Sequence, residues 1–164
     1  MNRASALIFV GLCALGAGCA KKPAVREAAV TTTAARVGNV NVSDEIMRRC
    51  NIQFGNVDRA PKFDYDEAAL LPEDRDVLEQ VAKCLTTGPL KGRHVGLVGR
   101  ADPRGEVEYN MVLGEHRADT VRDYLTHLGI SFTDIAKTSR GELDAEGTNE
   151  ESWRLDRRVD IVLQ

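Results

Sequence analysis

Apolar residues recur at helical spacing in two long stretches of the chain, and each stretch predicts an amphipathic helix. The first stretch starts at Pro72, whose fixed φ suits an opening turn, and the acidic residues behind it favour the positive end of the helix dipole. Its apolar positions fall on one face: Val77, Leu78, Val81, Ala82 and Leu85. The second stretch runs to about Leu128, where Gly129 favours a helix end.

Four further segments have the composition or the alternation of β-strands. They are Lys62–Tyr65, His94–Ala101, Ile135–Gly141 and Arg158–Leu163. The second has a continuous apolar centre, which is typical of a buried strand. It runs into an Asp-Pro-Arg-Gly turn signature at residues 102–105.

The last of these strands alternates between two faces. We expect Val159, Ile161 and Leu163 to point inward, and Asp160 and Val162 to point outward. Strand and helix segments follow one another as βαβαβ. This order, with a late final strand, predicts an α/β (α+β) sandwich in which helices pack on a mixed sheet.

The first residues of the chain have the pattern of an export signal. Arg3 precedes an uncharged stretch whose apolar centre is too short to span a bilayer. The stretch ends in Leu15-Gly16-Ala17-Gly18-Cys19, which resembles the bacterial lipobox, so we expect Cys19 to carry acyl chains such as palmitate. Residues 1–18 would then be a lipoprotein signal peptide. Ordinary signal cleavage without a lipid is the alternative.

Residues 19–41 are small and polar, and their composition favours a flexible tether. The tether would join the lipid-modified Cys19 to a folded domain over residues 42–164. Ala20 is not the Asp that marks inner-membrane retention in enteric lipoproteins. The resemblance therefore favours a lipid anchor in the outer membrane, with the domain in the periplasm.

Cysteine usage agrees with an oxidising compartment. Of the four cysteines, Cys13 would leave with the signal and Cys19 would carry lipid. The remaining pair, Cys50 and Cys84, predicts a disulfide. Two buried free thiols are the alternative.

The charge distribution argues against a nucleic acid partner. The net charge is −3, and the first 41 residues are net basic, so the remainder of the chain is more acidic than the total indicates. Phosphate binding needs clustered Lys and Arg residues on one surface. We therefore expect no nucleic acid partner.

An ordered set of short motifs carries a family resemblance. The segment Gly99–Gly105 reads Gly-Arg-Ala-Asp-Pro-Arg-Gly, and Tyr109-Asn110, Leu113-Gly114, Arg117-Ala118 and Tyr124-Leu125 follow at matching spacing. Further agreement lies at Phe63-Asp64-Tyr65, Leu71-Pro72, Ser139–Glu142, Asn149 and Asp156–Val159. The set resembles the OmpA-like peptidoglycan-binding domain from roughly Cys50 to the C-terminus. The lipobox ahead of it is similar to that of the Pal lipoproteins.

The resemblance implies non-covalent binding of peptidoglycan, which would tether the outer membrane to the cell wall. The diaminopimelate side chain of the peptide stem ends in an ammonium beside a carboxylate. In the family, an Asp accepts the ammonium and an Arg binds the carboxylate. The resemblance assigns the first role to Asp102 and the second to Arg117 in this sequence. The planar guanidinium suits a carboxylate. Asn110 is expected to assist, and no cofactor or metal is implied.

Several residues depart from the family pattern or leave their role open. Ala101 and Arg100 stand where the family usually has Thr and His or Tyr. Arg100 would weaken the ammonium site, recruit the ligand carboxylate, or lie on the opposite strand face.

Arg157 and Arg158 are expected to be mainly structural, with one of them supporting the site or pairing with a carboxylate.

Two other classes of function remain as alternatives. An enzyme could use Glu142, Asp144 and Glu146 as an acid–base pair for glycan cleavage, although these residues also fit a solvated acidic loop. The three histidines lack zinc-ligand spacing. The second alternative is a periplasmic interaction module that docks a partner of the Tol type. Competition between such a partner and wall fragments would distinguish it.

Overall fold

A five-stranded mixed sheet forms one layer of the protein in the computed structural model. The structure describes residues 36–37, 40–53 and 63–164, which belong to one compact unit. The strands, in chain order, are β1 Arg36–Val37, β2 Val40–Val42, β3 Val95–Arg100, β4 Ile135–Gly141 and β5 Val159–Leu163. Their order in the sheet is β1-β2-β5-β3-β4. Pairs β2/β5 and β3/β4 are parallel, whereas β1/β2 and β3/β5 are antiparallel.

Helices pack against this sheet and form the second layer. They are α1 Asp44–Cys50, α2 Pro72–Thr86, α3 Val107–His127 and α4 Glu150–Asp156. The predicted apolar face of α2 is buried in the core, as is the middle of α3 at Val121 and Leu125. The predicted α/β sandwich with a mixed sheet is therefore confirmed, as are both long helices and strands β3, β4 and β5.

The strand expected at Lys62–Tyr65 is wrong. Lys62 lies outside the described residues, and Phe63, Asp64 and Tyr65 form no strand. The structure has an unpredicted strand earlier in the chain, β2, which lies beside β5 with Val40 paired to Val159. Phe63 still lies in the core, with 1% of its surface exposed.

The tether expected over residues 19–41 overlaps the sheet. Val40 and Val42 are buried in β2, and β1 pairs with this strand. The sheet therefore includes residues that precede residue 42. Cys19 and the signal peptide expected over residues 1–18 lie outside the described residues.

Asp160 does not point into solvent as its place in the alternation suggested. The residue is 8% exposed, and its carboxylate accepts hydrogen bonds from Asn41 at 2.8 Å and from Arg158 at 2.8 Å. Arg100 is a third partner. These donors offset the cost of burying the charge.

A disulfide joins Cys50, the last residue of α1, to Cys84 in α2, with 5.6 Å between their Cα atoms. The predicted pairing is confirmed, and the free-thiol alternative is wrong. Over the part of the chain that the structure describes, no helix has the length and apolar character needed to cross a membrane.

Two glycines bring the backbones of β3 and α3 into direct contact. A Cβ on Gly99 would overlap the carbonyl oxygen of Gly114, and a Cβ on Gly114 would lie 2.9 Å from the carbonyl oxygen of Gly99. Only glycine at both positions allows this backbone contact. The contact fixes the end of β3, which leads to Asp102, beside the helix that carries Asn110 and Arg117.

Candidate ligand-binding site

The three predicted binding residues line one small cavity at the end of β3. Asp102 follows the strand, whereas Asn110 and Arg117 project from α3. The cavity volume is about 30 Å³, well below the volume of about 300 Å³ or more that is typical of ligand pockets. The lining residues are Tyr65, Asp66, Asp102, Arg104, Gly105, Tyr109, Asn110, Leu113 and Arg117.

Asp102 is almost completely buried and is held by two arginines. Its Oδ1 atom accepts hydrogen bonds from the backbone N and the Nε of Arg104, each at 3.1 Å. Its Oδ2 atom accepts from Arg104 Nη2 at 2.7 Å and from Arg157 Nη1 at 3.0 Å. Burial alone would raise the pKa of Asp102, but the bonds from these arginines more than offset it and lower the pKa below its usual value. Asp102 is therefore an anion at neutral pH.

Arg117 is fully buried, with 0% of its surface exposed. Its Nε, Nη1 and Nη2 donate to the carbonyl oxygens of Glu67 at 2.8 Å, Arg100 at 2.8 Å and Asp64 at 3.2 Å. The guanidinium carbon also lies 4.9 Å from the centre of the Phe63 ring. Burial, and then the positive charge of Arg157, lower the pKa of Arg117 to about 10. The side chain therefore remains a cation at neutral pH.

Asn110 closes the turn that carries Asp102. Its Nδ2 donates to the carbonyl oxygen of Asp102 at 3.2 Å, to that of Arg104 at 3.0 Å, and to the carboxylate of Glu142. The side chain is 2% exposed. These bonds give Asn110 a structural role at the turn, and direct contact with a ligand stays a prediction.

Arg157 supports the site through its contact with Asp102. It donates to Asp102, to the carbonyl oxygen of Phe63 at 2.7 Å and to Glu150 at 2.8 Å. Arg158 pairs instead with Asp160. Both residues thus pair with carboxylates, and Arg157 is the one that supports the site.

Arg100 does not face the cavity. Its guanidinium pairs with Asp144 and Asp160, neither of which lines the cavity. Of the three possibilities for this departure from the family pattern, the structure agrees with the third. The charge of Arg100 is neutralised away from Asp102.

Sequence reasoning missed the role of Arg104. Its guanidinium lies between the rings of Tyr65 and Trp153, with its carbon 4.2 Å and 4.4 Å from the two ring centres. It pairs with Asp102 and, at 3.1 Å, with Glu150. The Asp-Pro-Arg-Gly turn located this residue, but nothing in the pattern indicated that Trp153, 49 positions further along, would stack on it.

Two of the three residues proposed for an acid–base pair are engaged in other contacts, and the third, Glu146, is exposed. Glu142 accepts from Asn110, and Asp144 pairs with Arg100 and Arg140. The two arginines hold the pKa of Asp144 well below its usual value, so it carries no proton to donate at neutral pH. Among the described residues, no group of three His, Cys, Asp or Glu side chains could hold a metal ion.

Comparison with known proteins agrees with this fold. Residues 62–156, more than half of the chain, match the OmpA family. The chain therefore belongs to the OmpA family.

Named relatives narrow the comparison further. The Peptidoglycan-associated lipoprotein of Pseudomonas putida is 42% identical over 101 residues, which are 60% of this chain and 59% of the relative. That of Pseudomonas aeruginosa is 41% identical over 101 residues, which are 60% of this chain and 58% of the relative. The match therefore spans less than two thirds of these relatives.

A solved structure is also similar. The peptidoglycan-associated lipoprotein from Burkholderia pseudomallei is 36% identical and superposes with a TM-score of 0.58. The match covers 62% of this chain and 86% of that structure.

Proposed function

We propose that this protein binds peptidoglycan non-covalently, through the peptide stem, at the cavity between Asp102 and Arg117. The observation that carries the proposal is the presence of a buried anion and a buried cation on the walls of one cavity. A zwitterionic ligand group needs both. The ammonium and carboxylate at the end of a diaminopimelate side chain form such a group.

Arg117 retains the donors that a carboxylate requires. Three of its five N–H groups bond to backbone carbonyls, and the other two have no acceptor among the described residues. These two groups belong to the two terminal nitrogens, the arrangement that binds a carboxylate with two parallel hydrogen bonds. The fixed guanidinium thus supplies a preorganised carboxylate subsite.

The names of the relatives support the ligand class. Two relatives and the Burkholderia structure are called peptidoglycan-associated lipoproteins. We infer a binding protein rather than an enzyme. We also propose that Cys19 is lipid-modified and anchors the chain in the outer membrane, so that the domain links this membrane to the wall from the periplasm.

Sedimentation with insoluble peptidoglycan tests the proposal. The full-length chain, purified in detergent, is mixed with diaminopimelate-type sacculi and pelleted. Asp102→Asn and Arg117→Lys keep the size or the charge of the native side chain while removing part of the clamp. Since loss of one partner of a buried charged contact costs about 2 to 5 kcal/mol, the affinity should fall by more than about tenfold in each variant.

A second pair of variants keeps the test valid if the variants of Asp102 and Arg117 fail to fold. Leu113→Trp fills the cavity while every ionic residue is kept, whereas Val112→Trp places the same side chain at an exposed neighbouring position outside it. The first should abolish pelleting and the second should not. If the wild type stays in solution, the proposal is wrong, and docking of a Tol-type partner becomes the function to test.

A further inference from the structure

The carboxylate of Asp102 has its hydrogen-bonding positions filled by the protein itself. Oδ1 accepts hydrogen bonds from the backbone N and the Nε of Arg104. Oδ2 accepts hydrogen bonds from Nη2 of Arg104 and Nη1 of Arg157. A carboxylate offers about four such positions. Within the described part of the chain, the residue proposed to accept a ligand ammonium therefore has no position left for it.

The four donors differ in how easily they can leave. The backbone N of Arg104 is fixed by the turn, and the Arg157 side chain is 7% exposed and also bonded to the carbonyl oxygen of Phe63. The other two donors belong to the Arg104 side chain, which is 30% exposed and follows the end of β3, outside any helix or strand. Movement of this one side chain would free one position on each oxygen of Asp102.

The side chains around Arg104 favour a positive charge next to Asp102. Tyr65 and Trp153 present their ring faces to the guanidinium, and aromatic faces attract cations. Glu150, which is 62% exposed, pairs with Nη1 of Arg104. This ion pair could remain after the Arg104 guanidinium leaves Asp102. Arg104 thus occupies a place built for a positive charge.

We propose that the Arg104 side chain occupies the ammonium subsite of the proposed site, and that a ligand binds by replacing it at Asp102. This inference rests on the proposed function. It explains how so small a cavity could admit part of a stem peptide, because departure of the side chain enlarges the cavity. It also makes Arg104 a specificity residue, since only a ligand that brings its own ammonium replaces the charge that leaves.

Binding of free diaminopimelate to the full-length chain in detergent tests the exchange. Arg104→Gln removes the competing cation. Arg104→Lys keeps the positive charge but loses the pair of side-chain hydrogen bonds to Asp102. If the open form is about a tenth of the native population, removing the competitor tightens binding about tenfold. Arg104→Lys should lie between the wild type and Arg104→Gln. Arg154→Gln is the matched control because Arg154 is exposed and bonds only to a backbone carbonyl among the described residues.

Trp153 provides a second readout, since it is the only tryptophan in the chain. Diaminopimelate should shift the wild-type emission spectrum toward that of unliganded Arg104→Gln. Pimelate, which has the carboxylates without an ammonium, should leave the wild-type spectrum unchanged.

The outcomes separate this inference from the proposed function. Tighter binding by Arg104→Gln, or binding by this variant alone, supports the exchange. Weaker binding by a folded Arg104→Gln, with wild-type binding intact, overturns the exchange and leaves the proposed function standing. Absence of binding by both proteins overturns both.

Discussion

Arg117 illustrates how individual residues of this site combine folding with recognition. Its charge is withdrawn from water completely, and three backbone carbonyls replace the lost hydration. These carbonyls come from Asp64 and Glu67 in the segment before α2 and from Arg100 at the end of β3. One side chain therefore holds together the segments that surround the cavity.

Removing this side chain should destabilise the fold. Arg117→Ala leaves three carbonyl oxygens without their donor and opens a cavity, so we expect the free energy of unfolding to fall by about 3 to 5 kcal/mol. Urea denaturation followed by circular dichroism measures the change. Arg154→Ala, on the exposed side of α4, should stay within about 0.5 kcal/mol of wild type. Equal stability of both variants would contradict the structural role assigned to Arg117.

At this scale, motif matching anticipated which residues meet but not how they are paired. Asp102, Asn110 and Arg117 come together as expected. Their burial and their protein partners depend on contacts far along the chain, such as Arg157 with Asp102, 55 positions apart. Local sequence has no information about such pairs, which explains why the stacking of Arg104 was missed.

At the scale of elements, the site depends on how closely β3 and α3 approach. Glycines at positions 99 and 114 let the two backbones touch, and this contact sets the distance between the strand end that leads to Asp102 and the helix that carries Arg117. A wider separation would pull the two sides of the cavity apart. Packing of these two elements is therefore part of the binding geometry.

Gly99→Ala tests this contact. Its Cβ would overlap the backbone of Gly114, so we expect a loss of about 3 kcal/mol or more in unfolding free energy, as for severe overpacking. Gly129→Ala has open space around its Cβ but a φ of 95°, and it should lose only about 1 kcal/mol. Thermal or urea unfolding of both proteins gives the comparison. A Gly99→Ala protein as stable as Gly129→Ala would disprove the close approach.

The disulfide is the second constraint between elements, because it links α1 to α2 across 34 positions. The chain-entropy account predicts that its loss costs about 3 to 4 kcal/mol. Urea denaturation with and without reductant should show this difference for wild type. The double variant Cys50→Ser, Cys84→Ser should match the reduced protein and show no response to reductant. A wild type that is insensitive to reductant would contradict the prediction.

Elements with strong periodicity were predictable, whereas the short ones were not. Helix α2 and strands β3 to β5 follow from apolar spacing. Strand β2 has only three residues and pairs with β5, which lies more than a hundred positions away, so the alternation Val40-Asn41-Val42 is too short to distinguish from a tether. Phe63–Tyr65 has strand-like composition, but its carbonyls bond to arginine side chains instead of a neighbouring strand.

At the scale of the whole molecule, buried and half-buried ion pairs make stability depend on pH. Arg140 and Arg100 lower the pKa of Asp144. Burial would raise the pKa of Asp102, but bonds from Arg104 and Arg157 lower it overall. The folded state therefore binds fewer protons than the unfolded state when the pH is acidic. The stabilisation is present above the unfolded pKa of about 3.9 and is lost as the pH falls through the folded values.

We therefore expect the unfolding free energy to be nearly constant from about pH 5 to 7 and to fall below about pH 4. Asp144→Asn should flatten the acidic decline, since it removes one carboxylate whose pKa is lowered. Glu146→Gln, at an exposed carboxylate on the same loop, should leave the decline as steep as in wild type. Urea titrations at several pH values provide the measurement. An unchanged decline in Asp144→Asn would show that its ion pairs contribute little.

The central claim is that the cavity between Asp102 and Arg117 binds the peptide stem of peptidoglycan. The most direct measurement is competition: the full-length chain is bound to diaminopimelate-type sacculi, and the pelleted fraction is followed while free diaminopimelate is added. The account predicts that pelleting falls to background and that pimelate at equal concentration has no effect. Pelleting that persists when diaminopimelate is in large excess would place wall binding elsewhere on the molecule and contradict the account.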